Sequence, residues 1–328
     1  MRARAVQTAI ETLVTAGQPL YIWGPPGIGK SDVVREAARA LGRELVDIRA
    51  LLLDPVDLRG LPRIDGEGRT SWSPPDFLPE SGRGILFLDE LNAAPPLVQA
   101  ACYQLVLDRR IGDYRLPEGW SVVAAGNRET DRSVTHRMPS ALANRFTHVD
   151  FEVRLEDWVD WALKEGMAPE VIAFLRFRPR LLHDFDPGRN EKAFPTPRSW
   201  AFVSRILDAT DDGEILKPLV AGTVGAGAAA EFSGFLEVCR ELPSAESLLA
   251  DPRGWRLPQD NPALLYALCE LLASHASPES FVAITEIAAG LPVEFAVLLI
   301  RDSLRKDASL VDTGAFVDWA EAHAEILV

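Results

Sequence analysis

Apolar and polar positions in the first half of the chain alternate between short strand-like runs and amphipathic segments. The strand-like runs lie at 19–23, 44–50, 84–89, 121–127 and 147–153. Segments with helical periodicity precede or separate them, up to about Gly17 and at 31–42, 95–110 and 138–146. Strands that alternate with helices predict an open α/β fold built on a parallel sheet.

Two stretches interrupt this alternation and predict inserted hairpins. In 51–80, Asp65, Gly66 and Gly68 separate short β-like pieces, which indicates a hairpin beside a helix; a plain surface loop is the alternative. The stretch 111–120, IGDYRLPEGW, carries a second hairpin signal before the strand at 121–127.

Beyond Val153 the pattern becomes helical, with amphipathic segments at 155–166, 168–182 and 196–210 and further helices towards 328. We therefore expect a helical domain after the sheet. The small residues of GTVGAGAAA, from Gly222 to Ala230, predict close helix packing. The expected domains are an α/β nucleotide-binding core at 1–154, a helical lid at 155–212 and a helical C-terminal extension at 213–328.

The run from Tyr21 to Ser31, YIWGPPGIGKS, has the spacing of a phosphate-binding loop between a strand and a helix. Glycines let backbone N–H groups approach a polyphosphate, and Lys30 supplies a positive charge. The Ser31 hydroxyl is a candidate ligand for Mg²⁺. The candidate nucleotide-binding residues are Gly24, Pro25, Pro26, Gly27, Ile28, Gly29, Lys30 and Ser31.

Two further apolar strands end on polar side chains. ILFLDELN places Asp89 and Glu90 at the carboxyl end of a buried strand, the edge where open α/β sheets bind ligands. Asp89 is a candidate magnesium residue, and Glu90 is a candidate for polarising the attacking water. Asn127 ends SVVAAGN and either shapes the turn with Gly126 or binds the γ-phosphate or the water.

Two arginines admit two interpretations each. Arg145 lies at the C-terminal end of a short helix, where the helix dipole favours a cation. It is also placed to reach the nucleotide of a neighbouring subunit. Arg198 follows Thr196 and Pro197, an N-cap and a first helical residue, so its charge opposes the dipole and requires an anion: a phosphate or a local carboxylate.

Composition narrows the function classes. Of the 328 residues, 47% are hydrophobic and 25% charged, with a net charge of −14. This acidity disfavours nucleic-acid partners. Three widely separated cysteines form no disulfide or metal pattern and fit a reducing, cytoplasmic setting. No apolar run reaches the length of a membrane span.

Taken together, these motifs resemble the AAA+ ATPases and, within them, the MoxR family of the helix-2-insert clade. GPPGIGKS looks like Walker A and ILFLDELN like Walker B. Asn127 is similar to sensor 1, Arg145 in ANRF to the arginine finger and Arg198 in TPRS to sensor 2. The two hairpins resemble the insertions of that clade. The motif residues cover about the first two thirds of the chain.

The resemblance implies a catalytic role for Glu90, Asn127, Arg145 and Arg198, and a metal role for Ser31 and Asp89. It implies ATP and Mg²⁺ as cofactors, a ring-shaped homo-oligomer that is usually a hexamer, and a partner with a von Willebrand factor A domain. Chaperone-like remodelling or maturation of a protein client is the implied function. The alternative is a nucleotide-gated scaffold with little turnover, against which Glu90 argues.

Overall fold

The computed structural model describes residues 1–64, 66–131, 136, 138–189 and 191–323. Within these residues, 1–154 and 186–189 form one compact unit, and 155–185 with 191–323 form a second. The expected boundary between a lid and a C-terminal extension, at 212, stays a prediction. No helix in the described part of the chain is long and apolar enough to cross a bilayer.

The first unit is built on a parallel sheet of five strands. In spatial order these are β2 (Glu44–Arg49), β5 (Gly84–Asp89), β8 (Trp120–Gly126), β1 (Leu20–Trp23) and β9 (Thr147–Asp150). The central strands β5 and β8 are apolar almost throughout, as expected where helices cover both faces of a parallel sheet. The parallel-sheet core predicted from the alternating pattern is confirmed.

Helices cover the two faces of this sheet. On one face, α1 (Ala3–Thr15) and α2 (Lys30–Ala40) pack against alternate strand residues such as Ile85 and Phe87. On the other, α4 (Pro96–Asp108) packs against the intervening residues Leu86 and Leu88. The period of two along β5 thus supplies both hydrophobic layers.

Both predicted hairpins are confirmed. The helix α3 (Pro55–Arg59) leads into β3 (Leu61–Ile64), which pairs antiparallel with β4 (Thr70–Ser73). The short strands β6 (Arg110–Ile111) and β7 (Tyr114–Arg115) form the second hairpin. Asp65, one of the residues on which the first prediction depended, lies outside the described residues. The short helix α5 (Ser140–Ala143) precedes β9.

The described residues of the second unit form helices and no strand. The α-helices are α6 (Leu155–Lys164), α7 (Pro169–Phe177), α8 (Pro197–Ala209), α9 (Gly213–Val224), α10 (Ala226–Cys239), α11 (Ala245–Ala250), α12 (Pro262–Ser274), α13 (Phe281–Ala288), α14 (Val293–Lys306) and α15 (Gly314–Ala322). Helices α11 to α15 share one apolar core.

An ion network with a buried centre joins four of these helices. Arg176 of α7 lies 2.7 Å (Nε to Oε1) from Glu270 of α12 and 2.6 Å (Nη2 to Oδ2) from Asp302 of α14. Arg305 of α14 pairs with Asp302 at 3.1 Å and with Asp160 of α6 at 2.7 Å. We call Arg176, Glu270 and Asp302 the helical-unit cluster.

Of the small residues from Gly222 to Ala230 that were expected to permit close helix packing, Ala228 and Ala229 are buried, but the glycines within the helices have no second element close by. A Cβ atom at Gly222 or Gly227 would meet no atom within 4 Å. Gly225 instead lies between α9 and α10 with a φ of +83°, a left-handed conformation that favours glycine. This glycine therefore makes a helix junction.

Candidate functional site

The loop between β1 and α2 has the backbone that a phosphate-binding loop requires. Gly27 and Gly29 take φ angles of +75° and +95°, which other residues adopt only with strain. A Cβ atom at Gly24 would come within 2.5 Å of the Ile28 side chain. Helix α2 begins at Lys30, so its N-terminal N–H groups lie at this loop.

Lys30 is buried, with 9% of its surface exposed. Its Nζ donates hydrogen bonds to the carbonyls of Gly24 (2.7 Å) and Pro25 (3.0 Å) and to Oδ1 of Asn127 (2.9 Å). All three acceptors are formally neutral. These three bonds hold the ammonium group in place at the loop.

Asp89, at the carboxyl end of β5, lies beside the same loop. Its Oδ2 accepts from Oγ of Ser31 at 2.8 Å, and its Oδ1 accepts from the backbone N–H of Glu90 at 2.9 Å. A hydroxyl and a carboxylate oxygen in contact are the oxygen ligands that Mg²⁺ prefers, so the donor set fits this ion. Burial, followed by the negative charge of Asp89, raises the pKa of Asp47 on β2.

Glu90 has a left-handed backbone, with a φ of +55°. Such a conformation in a residue other than glycine costs of order 1–3 kcal/mol and is concentrated at functional sites. Neighbouring hydrogen bonds hold it: Leu91 N donates to Ala125 O at 3.0 Å, and Ala93 N donates to Glu90 O at 2.9 Å. The chain turns sharply where the carboxylate follows the strand.

Asn127 is held from two sides. Its side chain accepts the Lys30 hydrogen bond, and its backbone carbonyl accepts from Nδ2 of Asn92 at 2.7 Å. Asn92 is 1% exposed and was not predicted as a site residue. A Cβ atom at Gly126 would come 2.1 Å from both Oδ1 of Asn92 and the hydroxyl of Tyr21, so this approach requires glycine. The only sequence feature that could have indicated Asn92 is its place as the last residue of ILFLDELN, the run that contains Asp89.

The structure thus joins the predicted residues in two hydrogen-bonded pairs, Lys30 with Asn127 and Ser31 with Asp89. Glu90 follows Asp89 and donates its backbone N–H to that carboxylate. Arg145 has no hydrogen bond to any of these. Its exposed Nη1 donates to the carbonyl of Ala141 at 3.1 Å, the contact that the helix-dipole interpretation predicts. Its role as an arginine finger stays a prediction.

Arg198 belongs to the second unit, at the start of α8. The predicted N-cap is confirmed, because the Thr196 side chain accepts from Ser199 N at 3.0 Å and Pro197 is the first helical residue. Arg198 is exposed. No hydrogen bond or ion pair to it occurs within the described ranges, so the alternative of a local carboxylate partner finds no support there.

Solved structures similar to this chain are distant. NtrX from Brucella abortus in complex with ADP is 18% identical, with a TM-score of 0.44, over 84% of this chain and 64% of that one. Its complex with ATP is 17% identical, with a TM-score of 0.43, over 99% and 67%. The RuvB Holliday junction branch migration motor from Thermotoga maritima is 16% identical, with a TM-score of 0.40, over 81% and 80%. This chain thus spans less than two thirds of the first NtrX chain.

A family model matches the part of the chain that carries the site. The match runs over residues 19–146, from the strand before the phosphate loop to the residue after Arg145. It includes every predicted site residue of the first unit, whereas Arg198 lies beyond it. Residues 19–146 are therefore similar to the family described as the AAA domain of the dynein-related subfamily.

Proposed function

We propose that this protein is a magnesium-dependent ATPase of the AAA+ type, related to the MoxR family. One observation carries the proposal: two hydrogen-bonded pairs, Lys30 with Asn127 and Ser31 with Asp89, lie at the carboxyl edge of the sheet, and Glu90 follows Asp89 directly. An amine, a hydroxyl, two carboxylates and an amide at a phosphate-binding loop are the groups that phosphoryl transfer to water uses.

Each side chain has a distinct role in this proposal. Lys30, now bonded to neutral acceptors, would bind the outer phosphates, which are stronger charged acceptors. Ser31 and Asp89 would hold Mg²⁺, which supplies positive charge next to the phosphates when bound. Glu90 would polarise the attacking water and take its proton, and Asn127 would orient the water or the γ-phosphate.

Arg145 would complete the site of a neighbouring subunit. Its position just before β9 and its exposure leave it accessible to another copy. An arginine supplied in trans raises phosphoryl-transfer rates by ~10³-fold or more. We therefore propose a ring, of six subunits as in related families, that works in the cytoplasm with a von Willebrand factor A domain partner to remodel a protein client.

The phosphate-binding role of Lys30 is tested by Lys30→Ala. We expect ATP affinity to fall about tenfold or more, because charge-assisted hydrogen bonds to phosphate are lost. Fluorescent-nucleotide titration measures the affinity, and phosphate release measures turnover. The control is Lys217→Ala, which removes an exposed lysine of α9. Equal affinity of Lys30→Ala and the wild type would contradict the proposed site.

The ring is tested by mixing Arg145→Ala with Glu90→Gln, each nearly inactive alone. In a mixed ring, some interfaces combine an intact Glu90 on one subunit with an intact Arg145 on the next. Partial recovery of phosphate release on mixing would support action in trans. Native mass spectrometry identifies the oligomers. Mixed rings without recovered activity would contradict action in trans, and a protein that stays monomeric with ATP would contradict the ring. The control Arg39→Ala, on the exposed side of α2, should keep wild-type activity.

A further inference from the structure

Both ring nitrogens of His148, on β9, are hydrogen-bonded. Nε1 of Trp23 lies 2.9 Å from Nδ1 of His148, and Nε2 of His148 lies 2.8 Å from the carbonyl oxygen of Ala143. An indole N–H only donates, so Nδ1 must be the acceptor. The proton of the neutral ring is then on Nε2, which donates to Ala143. The two partners thereby assign one tautomer.

The acceptor of this bond belongs to the turn that carries Arg145. Ala143 is the last residue of α5, and its carbonyl also accepts from Phe146 N at 3.2 Å. Within the same turn, Arg145 N donates to the carbonyl of Leu142, a fully buried residue, at 3.0 Å. The direction in which the arginine leaves the chain is set by this turn.

The donor on the other side belongs to the strand that carries the phosphate loop. Trp23 is the last residue of β1 and directly precedes Gly24, whose carbonyl accepts from Lys30. The Trp23 carbonyl accepts from Phe151 N at 2.8 Å, and its indole stacks on the His148 ring with centroids 6.0 Å apart. Trp23 is therefore fixed by the sheet next to the loop.

We infer that His148 is a positioning residue for Arg145: it holds the turn after α5 against the strand of the phosphate loop. This rests on the proposed function, in which Arg145 acts on a neighbour's nucleotide. His148 is exposed and lies on an edge strand of the described sheet; besides ring contacts with Tyr21 and Phe146, it is hydrogen-bonded at both nitrogens. A misplacement of about 1 Å in a catalytic group can cost about 10²-fold in rate.

The test compares three substitutions of His148. His148→Leu removes both hydrogen bonds. His148→Gln carries an amide N–H that can still reach the Ala143 carbonyl, whereas the shorter His148→Asn can accept from Trp23 but not reach Ala143. We expect kcat to fall about tenfold or more in the Leu and Asn variants and to recover largely in the Gln variant, with ATP affinity unchanged in all three. Phosphate release and fluorescent-nucleotide titration give the two quantities.

Mixing separates this inference from the proposed function. His148→Leu subunits keep Glu90, and Glu90→Gln subunits keep a positioned Arg145, so a mixture should regain activity as the Arg145→Ala mixture does. If Arg145→Ala itself is fully active, the role of Arg145 in the proposed function is wrong. If Arg145→Ala is impaired but His148→Leu and His148→Asn have wild-type kcat, only the inference on His148 is overturned. If His148→Leu does not fold, the Gln and Asn pair decides: equal kcat in these two overturns the inference.

Discussion

Charged side chains gather in both units of the molecule, but their partners differ. At the edge of the sheet, Lys30 binds two carbonyls and an amide oxygen, and Asp89 binds a hydroxyl and a backbone N–H. In the helical-unit cluster, Arg176 pairs directly with the carboxylates of Glu270 and Asp302 at 2.7 and 2.6 Å. The described bonds at the sheet edge are to neutral groups, whereas those of the helical-unit cluster are to carboxylates.

The carboxylates of the helical-unit cluster are also more deeply buried than those at the edge of the sheet. The side chains of the helical-unit cluster are 6%, 2% and 1% exposed, in the order Arg176, Glu270 and Asp302. Asp89 and Glu90 are only partly buried. Charges that neutralise one another out of water hold helices in register, and removal of one partner is costly. The carboxylates of Asp89 and Glu90, at a partly open edge, remain accessible to a ligand. The comparison indicates a role in stability for the helical-unit cluster and a role in binding for the residues at the edge of the sheet.

Breaking the helical-unit cluster should have the largest effect on the free energy of unfolding. Arg176→Ala leaves Glu270 and Asp302 buried without their shared partner, which should lower the free energy of unfolding by about 3–5 kcal/mol. Urea unfolding measures this loss. The matched control is Arg178→Ala, two residues on, whose pair with Glu231 at 2.9 Å is about half exposed and should contribute less than about 1 kcal/mol. Similar losses in the two variants would contradict the difference between buried and exposed pairs.

A smaller effect is expected at Arg198, which has no ion-pair partner in the described part of the chain. If a phosphate is its partner, Arg198→Ala should weaken ATP binding about tenfold and ADP binding less, since a charge-assisted hydrogen bond is lost. The stability without nucleotide should not change, because no favourable dipole contact is lost. Nucleotide titration tests this beside Arg180→Ala, another exposed arginine of the same unit. A large loss of stability with equal affinities would indicate a structural role.

A further expected effect is a pH dependence of stability. Burial raises the pKa of Glu270 from 4.5 to about 7; Arg176 opposes this rise and Asp302 adds to it. The folded protein thus keeps a proton that the unfolded chain releases at lower pH. The contribution of Glu270 to stability is complete below about pH 4.5 and decreases as the pH rises through about 7.

Glu270→Gln should flatten the dependence of unfolding free energy on pH between about pH 5 and 7.5. Urea unfolding at several pH values measures it, with Glu241→Gln as the exposed control. A slope in Glu270→Gln as steep as that of the wild type would show that Glu270 titrates normally.

The residues at the edge of the sheet, Lys30, Ser31, Asp89, Glu90 and Asn127, were predicted from the sequence far better than the helical-unit cluster. The residues around Lys30 and Asp89 lie within short runs whose glycines and strand ends determine their geometry locally. Asn92 was missed because its partner, the Asn127 carbonyl, follows another strand, β8. Its amide carries no local signal of that contact.

The helical-unit cluster was missed for a related reason. Arg176, Arg178 and Arg180 alternate in one segment, and the pattern does not distinguish the buried one from its exposed neighbours. The carboxylates that select Arg176 come from α12 and α14, far along the chain. The wrong expectation at Gly222 has the same origin, because small residues allow close packing only where another element approaches.

A Glu-to-Gln substitution in each of the two groups tests most directly whether the edge of the sheet is catalytic and the helical-unit cluster is structural. Phosphate release and urea unfolding are measured for Glu90→Gln and Glu270→Gln side by side. We predict that Glu90→Gln binds ATP and loses turnover by ~10²-fold or more with its unfolding free energy nearly unchanged. We predict that Glu270→Gln keeps its turnover but changes the free energy of unfolding and flattens its pH dependence. Undiminished phosphate release by Glu90→Gln would contradict the assignment of the sheet edge as the catalytic site.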